Sequence, residues 1–149
     1  MAIKDIKLLG LTFTKLEAEK NPEYSGKLEI KQNIHIESVE KYKPELAKQD
    51  TLKVTFNFNI DYGEWGGIKI KGKMFLALDP KSLKEIINEW KDQKLPKEFN
   101  LIAFNIIFRK SSLKALQLEE ELGLPPHIQL PRFQLSDQQA QETPNKKSK

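Results

Sequence analysis

The chain has 149 residues, 38% of them hydrophobic and 31% charged, the proportions of one globular domain large enough to bury a core without covalent staples. Cysteine is absent, which excludes disulfides, thiol nucleophiles, iron–sulfur clusters and sulfur-ligated zinc together. The net charge of +4 arises from 25 basic residues interleaved with 21 acidic ones, and Lys146, Lys147 and Lys149 sit together at the C-terminus, so the remaining surface reads as nearly balanced. No apolar run reaches bilayer length, and Lys4, Asp5 and Lys7 interrupt the stretch where a secretory signal needs an apolar core, so cytoplasmic residence is the expectation.

The first regular element falls near the N-terminus. Ile6 and Leu8 occupy one parity and Leu9, Leu11 and Phe13 the other, a change that predicts a β-bulge at Leu8-Leu9-Gly10. Pro22 and Gly26 mark a loop, after which Leu28, Ile30, Ile34 and Ile36 alternate around Gln32 as a second strand. A further loop is placed between Tyr42 and Asp50 around Pro44. Leu52, Val54, Phe56, Phe58 and Ile60 then alternate strictly with Lys53, Thr55, Asn57 and Asn59, giving one buried and one wet face. Gly63, Gly66 and Gly67 supply a reversal, and Ile68, Ile70, Gly72, Met74, Leu76 and Leu78 resume the alternation, so this pair is a hairpin. Four successive strands with no room for helices between them predict an antiparallel meander.

Asp79-Pro80 opens a helix, because Asp accepts bonds from the free first-turn amides and Pro forfeits none there. Leu83, Ile86, Ile87 and Trp90 form its apolar stripe, and Leu95-Pro96 ends it. A second, long helix is predicted from about Glu98 to Leu122, stopped by Gly123 and Pro125-Pro126. Its first half carries Phe99, Leu101, Ile102, Phe104, Ile106, Ile107 and Phe108 around most of its circumference, which fits either a central core helix or a subunit interface. From Arg109 onward the pattern places Leu113 and Leu116 inward and Glu119 to Glu121 outward. The prolines of residues 124–135 forbid helix while Ile128, Leu130, Phe133 and Leu135 stay apolar, so an extended segment packed in a groove is expected. Residues 136–149 are polar with no large apolar residue and read as a disordered tail, leaving 1–135 as the folded domain.

The residues that carry catalytic chemistry elsewhere form no constellation. His35 lies on the wet parity of its strand and His127 sits among prolines, where a structural hydrogen bond is the expectation; neither has metal-ligand spacing. No serine has a glycine elbow or an evident histidine partner, and the glycines of residues 63–67 lack the Lys-Ser/Thr of a phosphate cradle. Catalysis, metal and cofactor are accordingly not expected. Lys53, Lys69, Lys71 and Lys73 share the exposed parity of neighbouring strands, where a basic stripe could track phosphates, but no stacking aromatics accompany them, so nucleic acid is disfavoured as a partner. Lysines that keep a sheet from aggregating explain them more simply.

Residues 105–116 (NIIFRKSSLKAL) and 124–135 (LPPHIQLPRFQL), set behind four strands and a short helix, resemble the SecB family of export chaperones. The resemblance implies a SecB-like α+β fold, a four-stranded antiparallel meander packed with a short and a long helix. It also implies an ATP-independent holdase that binds unfolded or unassembled polypeptide in apolar grooves of a homo-oligomer, a dimer or tetramer. By position it assigns Trp65, Trp90, Ile128, Leu130 and Phe133 to polypeptide contact, and Phe104, Ile107 and Phe108 to the oligomer interface. The basic tail departs from the acidic export chaperone and argues against coupling to a translocation motor, whereas a dedicated client such as a toxin–antitoxin pair fits the family. The rival class is a non-enzymatic nucleic-acid-binding or scaffold module using the lysine-rich strand face.

Overall fold

The computed structural model describes residues 5–43 and 50–131. Four strands, β1 (Lys7–Lys20), β2 (Lys31–Tyr42), β3 (Thr51–Asp61) and β4 (Gly66–Ala77), form one antiparallel sheet. Two helices follow, α1 (Pro80–Trp90) and α2 (Lys97–Leu122). The fold is α+β, with the strands first and both helices after them, as the alternation and spacing of the apolar residues require.

The order across the sheet is β1-β4-β3-β2. Strands β2, β3 and β4 run as a meander, but β1 lies beside β4 and not beside β2, so the expected four-strand meander holds for three strands. Alternation dictates which face of a strand is buried, not which neighbour it pairs with. The meander leaves the outer edge of β4 open, and β1 closes it along a register running from Lys7↔Ala77 to Lys20↔Gly66. The register shifts between Leu8 and Gly10, where the parity change places a bulge, and again between Phe13 and Lys15. The chain then crosses the sheet end to reach β2, and Trp65 pins it there. The Trp65 carbonyl accepts from the Asn21 amide at 2.9 Å, and the Trp65 indole donates to the Gly26 carbonyl at 3.2 Å.

The β3–β4 hairpin closes through a single 3-10 turn, Gly63–Trp65, entered at Gly63 with φ +65°. Leu52, Val54, Phe56, Phe58 and Ile60 of β3 and Ile68, Ile70, Met74 and Leu76 of β4 are all buried on one face. Gly72 breaks that row for a steric reason. It stands directly opposite Phe56, and a Cβ there would come within 2.6 Å of the Phe56 ring and 2.8 Å of the Thr12 carbonyl. Its missing side chain is the space in which Phe56 lies. Each wholly buried aromatic or aliphatic side chain of this size contributes about 1.5–3 kcal/mol, so this face is a large part of the core on which both helices pack.

At the start of α1 the Asp79 carboxylate accepts from the Ser82 amide at 3.0 Å, as its N-cap position predicts. Hydrogen bonding from Ser82, its side chain first and then this amide, holds the Asp79 carboxyl below the usual carboxylate range. Helix α2 has 26 residues and a length of about 39 Å, ending at Gly123 in the left-handed conformation (φ 71°) that lets its amide cap the Glu119 carbonyl. Residues 136–149, read above as a disordered tail, lie outside the described residues.

Candidate functional site

Helix α2 buries Phe99, Ala103, Ile107, Ser111, Ala115 and Glu119, one residue in every four, together with Ser112. Residues four apart on an α-helix are offset by about 40°, so the face turned to the sheet rotates along the helix. Different apolar residues are consequently left outside at different heights. Leu101 is 65% exposed, Phe104 38% and Leu113 63%. Leu113 and Glu119 therefore reverse their expected placements, Leu113 facing out and Glu119 lying in the core at 1% exposure. The second half of the helix has no fixed apolar stripe, because the buried line drifts.

Glu119 is buried with partners. The Tyr62 hydroxyl, itself wholly buried at the end of β3, donates to its carboxylate. The His127 Nδ1 lies 3.0 Å from Glu119 Oε2, and the His127 Nε2 lies 2.9 Å from the Ser112 Oγ. With Nδ1–H donating to the carboxylate, Nε2 accepts from the Ser112 hydroxyl, and all the polar atoms of the network are satisfied. The imidazole also sits edge-on to Phe58 and Phe108, at centroid distances of 5.7 and 6.4 Å. Burial, then the bond to Glu119 and its charge, push the Tyr62 phenol well above its ordinary range.

Sequence reasoning found no histidine partner for any serine, yet Ser112 has one. The missed signal is spacing: Ser112 and Glu119 stand seven residues apart, two turns of one helix, and Gly123 turns the chain back so that His127 meets both. The connectivity Ser112–His127–Glu119 is that of a nucleophile–base–acid relay, but two features set it apart from one. Ser112 sits in mid-helix, where neighbouring amides are committed to the helix and none is free to stabilise an oxyanion, and all three side chains are buried. Among the described residues no group of three or more His, Asp or Glu side chains is placed to hold a metal ion.

The residues expected to contact polypeptide are not gathered in one place. Trp65 is partly buried at the hairpin end, edge-on to Tyr24 with ring centroids 6.0 Å apart. Trp90 is partly buried against a different part of the core. Ile128 is half-buried and Leu130 is 50% exposed, just past His127. Phe133 lies outside the described residues. Of the expected interface residues, Phe104 is exposed and Phe108 partly so, but Ile107 is wholly buried in the core and has no surface left to offer a second subunit. Leu101, three residues before Phe104, is the exposed apolar neighbour that the pattern did not single out.

The open face of the sheet is polar. Lys53 pairs with Glu40 at 3.7 Å and Lys71 with Glu37 at 3.6 Å, so two members of the lysine stripe already have anionic partners. Phe56 and Phe58 point away from it into the core, and the aromatic residues on it are Tyr42 and Phe75 at one end, 5.2 Å apart. No ladder of stacking rings accompanies the lysines. No helix among the described residues is long and apolar enough to cross a membrane.

No protein-family model matches the chain, and no curated protein matches it. Among solved structures it is similar to the SecB-like chaperone Rv1957 of Mycobacterium tuberculosis, in complex with a ChAD peptide from the HigA1 antitoxin Rv1956. The identity is 12% and the TM-score 0.48, over 87% of this chain and 88% of that one.

Proposed function

We propose that this protein is an ATP-independent, holdase-type chaperone that binds unfolded or unassembled polypeptide through apolar surface, and that its subunits associate through the outer side of α2. The observation that carries the reading is the exposure of Leu101, Phe104, Leu113 and Leu130. These are four of the seven exposed large apolar side chains among the described residues, gathered on one helix and the segment that follows it, while the other three, Leu9, Leu16 and Tyr42, lie on β1 and β2. An exposed leucine on its own is ordinary; four within one helix and its continuation mark surface that meets another polypeptide. The SecB-like runs at residues 105–116 and 124–135 lie on the same helix and segment; the resemblance supplies the proposed assignment of Phe104 and Phe108 to subunit contact and of Ile128 and Leu130 to client contact, and the exposure of Leu101 beside Phe104 adds it to the former.

The test is suppression of aggregation of an enzyme diluted from urea, without nucleotide, together with light scattering for mass. The native chain is expected to suppress aggregation in high salt as well as low, and to run as a dimer or larger. Phe104→Glu and Leu101→Glu are expected to lower the mass with the circular dichroism unchanged. A monodisperse monomer with no effect on aggregation would overturn the reading. Binding of single-stranded nucleic acid that falls steeply with salt, and falls again when Lys69 and Lys73 are neutralised, would replace it with the phosphate-tracking alternative.

A further inference from the structure

The buried Ser112–His127–Glu119 network joins three parts of the chain that the sequence separates: the second half of α2, the end of β3 through Tyr62, and the segment after Gly123. A buried carboxylate, imidazole and phenol are expensive to desolvate, and an all-apolar contact of the same volume would hold two packed elements together equally well. What hydrogen bonds add is a single geometry. Both ring nitrogens of His127 are engaged, one by a residue a full helical turn from the end of α2 and the other two turns earlier, so the imidazole cannot slide along the helix without breaking both bonds. Pro125 and Pro126 immediately before it have fixed φ, so the fixing of His127 extends back to Gly123. Leu124 is buried on the near side, and Ile128 and Leu130 emerge directly beyond the ring.

We propose that His127 is a positioning residue: clamped by Glu119 and Ser112, it holds the extended segment in one register, so that Ile128 and Leu130 form a preordered apolar ledge for an incoming polypeptide. This rests on the polypeptide-binding reading above and gives it a physical device. A ledge fixed before binding spares the partner the cost of ordering it, whereas a free segment would lose that freedom on every encounter. Of the two bonds, the one to Glu119 has an ionisable acceptor and is the stronger, and the one to Ser112 sets the ring's tilt.

The experiment is 15N relaxation on the full chain, with backbone order parameters read at residues 124–131 and separately on β3 and β4. A second readout is the affinity of a fluorescein-labelled peptide of alternating Leu and Ser. In the native chain Ile128 and Gln129 are expected to have order parameters near the value of rigid backbone, about 0.85. His127→Ala is expected to drop them below about 0.6 and weaken peptide binding about tenfold, with β3 and β4 unchanged. His127→Asn, whose amide nitrogen occupies the place of Nδ1 and still reaches Glu119, is expected to restore most of both; His127→Gln, which reaches towards Ser112 instead, is not. Ser112→Ala, the mildest change, gives an intermediate result in any case where His127→Ala fails to fold. Low order parameters at 124–131 in the native chain, or order and affinity that are the same in all these variants, would overturn the clamp. High order that responds to the variants as stated, with no peptide bound by the native chain, would overturn the ledge and the holdase reading while leaving the hydrogen-bonded clamp standing.

Discussion

Replacing Glu119 with alanine removes the acceptor shared by the Tyr62 hydroxyl and the His127 Nδ1, both of which are buried. A buried donor stripped of its partner costs about 1–3 kcal/mol, so two of them predict a loss of about 3 kcal/mol, a large part of the 5–15 kcal/mol that holds a domain of this kind together. For a chain of 149 residues that corresponds to a fall in Tm of about 9 °C. Urea denaturation followed by circular dichroism and by the fluorescence of Trp65 and Trp90 measures it, and a double-mutant cycle separates the contact from the packing. Tyr62→Phe in the native background is expected to cost about 1 kcal/mol, but in the Glu119→Ala background it should cost nothing or stabilise, because the phenol it removes no longer has an acceptor. The coupling should therefore exceed about 0.5 kcal/mol. Strict additivity, or a loss below about 0.5 kcal/mol for Glu119→Ala, would show that the carboxylate is solvated in solution and that the network is not what joins α2 to β3.

Adjacent serines are expected to respond in opposite directions. Ser111 Oγ is wholly buried without a hydrogen-bond partner among the described residues, so Ser111→Ala should raise stability by up to about 1 kcal/mol, whereas Ser112→Ala should lower it by about 1 kcal/mol. Equilibrium unfolding of both variants checks the pair. Gly72→Ala should cost about 1–3 kcal/mol, because the new methyl meets the Phe56 ring, and Phe56→Leu in the same chain should recover part of it. Tyr62 carries an alkaline signature. Its folded pKa is raised, so its contribution is fully present below the unfolded phenol value of about 10 and is lost as pH rises from there towards the folded value. The native chain should lose about 1.4 kcal/mol per pH unit above pH 10 that Tyr62→Phe does not lose, as read from urea midpoints in paired titrations. Equal slopes would place the phenol in contact with water.

Much of the architecture was legible because it depends on local rules. Strict alternation in residues 51–61 and 66–77 permits one hairpin and one buried face. Asp79-Pro80 and Gly123 permit one start for α1 and one stop for α2, and the parity slip at Leu8-Leu9-Gly10 is the bulge itself. The pairing of β1 with β4 was not legible, since any open edge satisfies an alternating strand. Nor were the two sides of α2. Its sequence is apolar around most of its girth, so the contact with the sheet, drifting by about 40° with every fourth residue, decides that Ile107 is core while Leu101 and Phe104 face outward.

Composition and pattern by themselves determined an α+β chain without cysteine chemistry, its β3–β4 hairpin and helix limits, and an excess of apolar surface late in the sequence, but not the start of β2, which leaves Leu28 and Ile30 outside the strand. Only the tertiary structure decided where that excess lies, and it alone brought Tyr62, Ser112, Glu119 and His127 together. The reason is that burial of a polar residue has no local signature. Glu119 and Glu120 look alike in sequence, and what distinguishes them is a phenol 57 residues away and an imidazole eight residues ahead, which meet only when α2 settles on the sheet and Gly123 turns the chain back.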